Sequence, residues 1–173
     1  MATSGEASVQ PGWVRRVLFG RNPKFTFIRI IIWVAALILI SQFVLMPIRV
    51  EGISMLPTLK ENGIKFVNCL AYTHHPPQRG DVVAIEFTGK HLMLCKRIIA
   101  LPGETITFHD GHAFVNGRQL DEPYVKTPCN WEHELEQVGP DEYYVVGDNR
   151  SMEYEQHTQG RAERNRIVGK IIL

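Results

Sequence analysis

Cysteine is scarce in this 173-residue chain, which holds three: Cys69, Cys95 and Cys129. They lie far apart, and no CxxC pair frames a zinc site or a thioredoxin-like redox pair. One thiol must stay unpaired or bridge to another chain. A single bridge such as Cys69 to Cys129 is open to a domain outside the cytoplasm, but the sequence selects no pairing, and all three read as packing residues. Net charge is nearly absent as well: 19 Lys and Arg against 18 Asp and Glu leave +1. Apart from one cluster near the amino end the basic residues are spread out, so there is no general ground for expecting nucleic acid. Metal-ligand patterns are missing too. His74-His75-Pro76-Pro77 reads as an exposed loop, adjacent residues of an extended segment point opposite ways, and no carboxylate cluster has ligand spacing to them. Neither a metal nor an organic cofactor is expected. The length accommodates one domain of roughly 120 residues plus an anchor, and not two full domains.

Residues 1–12 carry Ser, Gly, Gln and Pro with little hydrophobic content and are expected to be disordered. Arg15, Arg16, Arg21, Lys24 and Arg29 then lead into the run from Ile30 to Met46, whose only polar members are Ser41 and Gln42. Counted from Phe25, about 22 residues are available, and at about 1.5 Å per residue such a helix crosses a hydrocarbon core of about 30 Å. A buried core helix fits the basic flank and the exit at Pro47 less well. A cleavable signal peptide would be shorter and would end in small residues, whereas Phe43 to Pro47 offers large side chains and proline. The expected organisation is therefore a basic cytoplasmic segment (1–24), one transmembrane helix (25–46) and an extracytoplasmic domain (47–173), oriented by the upstream positive charge.

Beyond the anchor no long helical pattern is found, and the period changes to that of strands. Ile64–Asn68, Val82–Phe87, Leu92–Ala100, Thr105–His109, His112–Val115 and Tyr143–Val146 are short runs rich in β-branched and aromatic residues. Thr88-Gly89-Lys90, Asp110-Gly111 and Asn116-Gly117 supply turns between several of them. The fold class is mainly β: an antiparallel sheet domain with hairpins, closed by a strand over 167–173. Trp131 to Val138 is expected as a short helix or a structured loop.

Two residues carry chemistry. Ser54 lies in Gly52-Ile53-Ser54-Met55-Leu56-Pro57-Thr58-Leu59, where Gly52 and Pro57 favour a turn over a continued helix. A serine there either supports the turn or is held out for use. In the run Leu92–Ala100, alternation puts Lys96 on one face with Leu92, Leu94, Ile98 and Ala100, and Met93, Cys95, Arg97 and Ile99 on the other. Lys96 is the one charge in an otherwise apolar row. It either snorkels to water or is desolvated, so that its neutral amine is accessible near neutral pH. A neutral amine is a base that a serine hydroxyl needs before attacking a carbonyl.

The anchor, the Ser54 segment, Arg79-Gly80-Asp81-Val82-Val83, Lys96 through Glu104, and Gly147-Asp148-Asn149-Arg150 together resemble type I signal peptidase, in the family's order and over most of the chain from about residue 30. The resemblance implies the family's β domain on the outer face of the cytoplasmic membrane, with the amino end inside. It implies Ser54 as nucleophile, Lys96 as general base and the Ser54 backbone N–H as oxyanion donor. Some relatives have an assisting serine two positions before the nucleophile; Gly52 stands there, so a main-chain group or water would serve. Asp148 and Asn149 are expected as support, Asp148 as scaffold in a turn. The substrate would be an extended preprotein segment with small residues near the cut, pairing beside Val50, Ile53, Met55, Leu94 and Cys95. Lipid is the other partner, and the protein is expected as a monomer.

The resemblance breaks after Asn149. Relatives continue with a serine, then Asp-Ser-Arg and a glycine, which support the lysine and brace the sheet. An ungapped register puts Glu153, Glu155 and His157 at the serine, aspartate and arginine positions, with Gly160 retained. Glu155 with His157 would mimic the brace, but Glu153 beside Lys96 would favour the charged amine. A small loop shift bringing Ser151 to that place is preferred. Two further functions stay open: a catalytically silent membrane-tethered β module that binds extended peptides, and a specialised maturation protease of the conjugation, pilus or mitochondrial inner-membrane kind.

Overall fold

The computed structural model describes residues 23–88, 92–127, 129–154 and 160–173. The expected disordered start, Glu155 and His157 lie outside the described residues. The chain forms two compact units, 1–40 and 41–173, and each is described by itself.

Helix α1, Pro23–Phe43, of 21 residues, forms the described part of the first unit and ends three residues past its boundary at Ile40. It is apolar all round: Phe27, Ile31, Trp33 and Leu37 are all exposed, although they fall on different sides of the helix. Among the described residues no helix is long and apolar enough to cross a membrane. The end expected at Met46 is also corrected. Leu45 and Met46 belong to strand β1 (Leu45–Arg49), which pairs antiparallel with β2 (Ile64–Asn68). Met46 is apolar because it packs on the sheet's core, not because it prolongs the helix.

The second unit is built from antiparallel strands, as the alternating runs require. After β1 and β2 come β3 (Val82–Thr88), β4 (Leu92–Ala100), β5 (Thr105–His109), β6 (His112–Val115), β7 (Arg118–Gln119), β8 (His133–Gln137), β9 (Glu142–Val146), β10 (Gly160–Glu163) and β11 (Ile167–Ile172). A seven-stranded sheet has the order β1-β2-β11-β3-β4-β9-β10, and a four-stranded sheet the order β7-β6-β5-β8. The segment 131–138, expected as helix or loop, holds β8. Its sequence, His133-Glu134-Leu135-Glu136-Gln137, lacks apolar alternation because it lies at the margin of the smaller sheet, where little of it is buried.

Alternation sorts the strands into three cores. Val83 and Ile85 of β3, Ile98 of β4, and Tyr143 and Val145 of β9 build one cluster with Leu94 against it. Val82 and Ala84 face the other way and join Val50, Met55, Leu59, Val67 and Ile171, with Met93 and Cys95 at the margin. Tyr144 and Val146 meet Ile99, Ile106, Phe108, Val115 and Trp131 in the third, which joins the smaller sheet to the larger. A register shift between Ile98 and Ala100 re-aims β4, so that adjacent Ile99 and Ala100 both enter that third core.

One ion pair fixes the turn that follows β9. Arg97, 7% exposed, donates from Nε and Nη2 to the two carboxylate oxygens of Asp148 at 2.8 and 2.6 Å, and from Nη1 to the Gly80 carbonyl at 2.6 Å. Thr58 Oγ1 donates to the same carboxylate. The Tyr124 ring lies 4.0 Å from the guanidinium. A buried guanidinium without a counter-ion is strongly unfavourable, so replacing Asp148 with alanine is expected to lower the unfolding free energy by about 3–5 kcal/mol. Urea denaturation of both proteins measures it; a loss under about 1 kcal/mol would show that the pair is not what holds the turn.

Candidate active site

Lys96 sits mid-strand in β4, directly opposite Val83 of β3. Its neighbours two residues away, Leu94 and Ile98, lie in the core with Val83, Ile85 and Val145, so the amine leaves the strand on an apolar face. It is 3% exposed and makes no hydrogen bond or ion pair with any described residue. Burial brings its pKa from the usual lysine value down to about 8, against a small opposing effect of Cys95. The snorkelling alternative is thereby removed for this residue. Cys95 is affected in turn: burial lifts its thiol to about 11, with the Lys96 charge pulling the other way.

The flank of β4 away from β3 is carried by β9, whose pairing runs Ile98 with Val145 and Arg97 with Val146. There β9 ends. Gly147 follows one step beyond the Arg97 and Val146 pair, and the chain turns through Asp148, Asn149 and Arg150. That turn holds the Ser54 loop: the Asn149 N–H donates to the Ser54 carbonyl at 2.9 Å, and Asn149 Nδ2 to the Ile53 carbonyl at 3.1 Å. A loop about 42 positions before Lys96 and a turn about 51 after it are therefore tied together where the β9 rail stops. Ser54 is half-buried, and neither its hydroxyl nor its N–H bonds to a described residue. Gly52, at φ +85°, bends the chain two residues earlier; a Cβ there would meet no atom, so its glycine answers to backbone conformation and not to crowding.

The remaining expected residues distribute as follows. Val50 and Met55 are buried together with Cys95 beside them, Ile53 is exposed, and Leu94 packs on the opposite face of the sheet, with the Lys96 neighbours. Ser151 is exposed and donates its hydroxyl to Asn149 Oδ1 at 2.6 Å, so it braces the turn instead of reaching Lys96. Glu153 is exposed, and Cys95 is the only titratable side chain among the described residues that acts on Lys96, so the feared carboxylate contact does not arise. A possible cation trio does occur elsewhere: His109, Asp110 and Glu132 bring one ligand atom each within 4.8 Å of one another. All three are exposed, and the imidazole spends Nδ1 on Glu132 and Nε2 on Asp110, which raises its pKa.

Sequence reading gave no role to several residues that build the site. Arg97 was visible as a charge inside a strand, a position that demands a counter-ion, but its partner lies 51 residues away. Glu122 carried no sequence signal, and Arg150 stood out only as the last residue of the Gly147–Arg150 motif, without a partner. Arg150, 1% exposed, pairs with Glu122, donates Nε–H to the Gly147 carbonyl at 3.0 Å, and lies over the Phe108 and Trp131 rings.

Residues 24–173 match the family model described as Signal peptidase, peptidase S26. The chain is 34% identical over 128 residues to signal peptidase I of Leptolyngbya laminosa, covering 69% of this chain and 63% of that protein. It is 32% identical over 163 residues to signal peptidase I V of Bacillus subtilis, covering 86% and 96%. The chain thus spans somewhat under two thirds of the length of the first of these. A solved signal peptidase I structure from Enterococcus faecalis V583 superposes at a TM-score of 0.46 and 26% identity over 56% of this chain and 97% of its own, too loosely to compare the folds. On the family match over nearly its whole length, the chain belongs to the Signal peptidase, peptidase S26 family.

Proposed function

We propose that this protein is a membrane-anchored serine endopeptidase that removes signal peptides from exported preproteins, with Ser54 as nucleophile and Lys96 as general base. The observation that carries the reading is a buried amine without a polar partner among the described residues, beside the point where β9 gives way to a turn that grips the Ser54 carbonyl. Ser54 Oγ attacks the scissile carbonyl carbon while Lys96 Nζ takes its proton, and the free Ser54 N–H faces the oxyanion. Lys96 returns that proton to the leaving nitrogen as the C–N bond breaks, which leaves an acyl-enzyme on Ser54. It then takes a proton from water, whose oxygen cleaves the ester and frees Ser54. Ile53, exposed beside Ser54, would meet the small side chains near the cut, while Val50, Met55 and Cys95, packed together on the face opposite the Lys96 neighbours, would back the Ser54 loop.

Membrane attachment is supported by two features. Apolar side chains are exposed on different sides of α1, which leaves the helix no polar side to turn toward water. Within the β unit, the registers of β1, β2 and β11 set Pro47, Phe66 and Ile172 in one row across the sheet, with Phe66 and Ile172 about half exposed. Such an uncovered apolar row suits a lipid surface. The preprotein and lipid are the partners of this reading, and the enzyme acts as a monomer.

Ser54→Ala and Lys96→Ala are each expected to lower kcat/KM by more than about 10³-fold on a preprotein with a small-x-small cleavage site. Binding without turnover by the unaltered protein would instead favour a silent peptide-binding module. The base must be neutral to act, so kcat/KM should climb about tenfold per pH unit and level off above about 8. A flat profile between pH 6 and 9 would remove Lys96 from that role. The full chain should resist extraction from membranes by alkaline carbonate, and recovery of intact protein in the supernatant would rule out a spanning anchor.

A further inference from the structure

The segment that leaves the 147–150 turn is held by a set of rings rather than by charges. Trp131 Nε1–H donates to the Met152 carbonyl at 2.8 Å. Two residues on, the Tyr154 ring stacks on His133 at 4.8 Å and meets Trp131 edge-on at 5.3 Å and Phe108 at 6.1 Å. Its hydroxyl lies 2.8 Å from that of Tyr144, a fully buried residue of β9. Tyr154 therefore ties the exit of the turn back to β5, β8 and β9, the last being the strand from which the turn departs. Arg150, between them, rests on the same Phe108 and Trp131 rings.

Inside that closed arc are the groups the reaction depends on. Asn149 holds the Ile53 and Ser54 carbonyls, and Gly147, whose carbonyl accepts from Arg150, directly follows Val146, the β9 residue paired with Arg97 next to Lys96. An arc fixed only where it leaves β9 could swing; one fixed at both ends keeps Asn149 and Gly147 in place. Aromatic pairs of this geometry add stability beyond their buried area, and the Tyr144 contact gives the ring a defined orientation.

We propose that Tyr154 is a positioning residue for the Ser54 and Lys96 pair: by locking the exit of the 147–150 turn into the Phe108, Trp131, His133 and Tyr144 cluster, it sets where Ser54 lies and keeps water from the Lys96 amine. The inference rests on the dyad reading above. It predicts a particular pattern, because a displacement of about 1 Å in a reacting group can cost about 100-fold in rate. In the full-length protein, Tyr154→Ala is expected to lower kcat about 10- to 100-fold on a preprotein substrate, with KM changed less than about threefold. The acidic limb of its kcat/KM profile should move to higher pH, because water reaching the amine restores ordinary lysine basicity. Tyr154→Phe, which keeps the ring contacts, should retain most of the rate.

Val115→Ala loosens the same core away from the turn. It serves as a stability control, expected to lower the melting temperature with the pH limb in place. If Tyr154→Ala does not fold, Tyr154→Leu takes its place and is expected to show the same fall in kcat and the same shift of the limb. Wild-type kcat and an unmoved limb in a folded Tyr154→Ala or Tyr154→Leu protein overturn the proposal, as does a limb shift of equal size in Val115→Ala. Lys96→Ala run alongside separates the two levels. An active Lys96→Ala enzyme would refute the dyad itself, whereas an inactive one together with an unaffected Tyr154 variant refutes the positioning role alone.

Discussion

Two neighbouring cations on β4 meet opposite fates, and the site follows from that difference. Arg97 and Lys96 point to opposite faces of one strand, and both are withdrawn from water. A guanidinium keeps its charge at any pH the protein meets, so its burial requires an anion, and Asp148 supplies one with two hydrogen bonds. An amine can shed its proton, so Lys96 is tolerated in an apolar face by becoming easier to deprotonate. Arg97 thus provides the rigid fixture: through Asp148 it draws the turn after β9 and, by way of Thr58 and Asn149, the Ser54 loop toward the strand that carries Lys96.

Much of this arrangement was open to reading because it rests on local pattern. Period-two alternation located β2, β4, β5 and β6 to the residue, and the lone charge in an apolar row marked Lys96. Strands at sheet margins were missed for a physical reason: β8 buries little, so selection on apolar alternation is weak there, and β1 is so apolar that it merged with the helix before it. The network around Glu122, Arg150 and Tyr154 had no local signal. Its members come from loops and strands far apart in sequence, and each looks like an ordinary surface residue until packing brings it inside.

The departure from the family pattern after Asn149 takes on a different meaning beside this packing. Glu153, standing where the pattern has a serine, is turned to solvent, and Tyr154 beside it enters the aromatic cluster. Holding a segment with rings needs large apolar area and an existing core to receive it, and Trp131 with Phe108 provide that core. Charge pairing would have needed desolvation of both partners. The two solutions differ in their response to salt, since ring contacts are hardly screened while exposed ion pairs weaken within a Debye length of about 10 Å at moderate ionic strength.

The sheet margins described above bear on how such a chain survives at high local density. β7 has only two residues, β8 offers alternating carboxylates at Glu134 and Glu136, β1 contains Pro47 with no N–H to give, and β10 is four residues long. None offers a second copy a long, flat, uncharged border to zip onto. Copies brought to high density meet along these blunted borders without a ready template for assembling into ribbons.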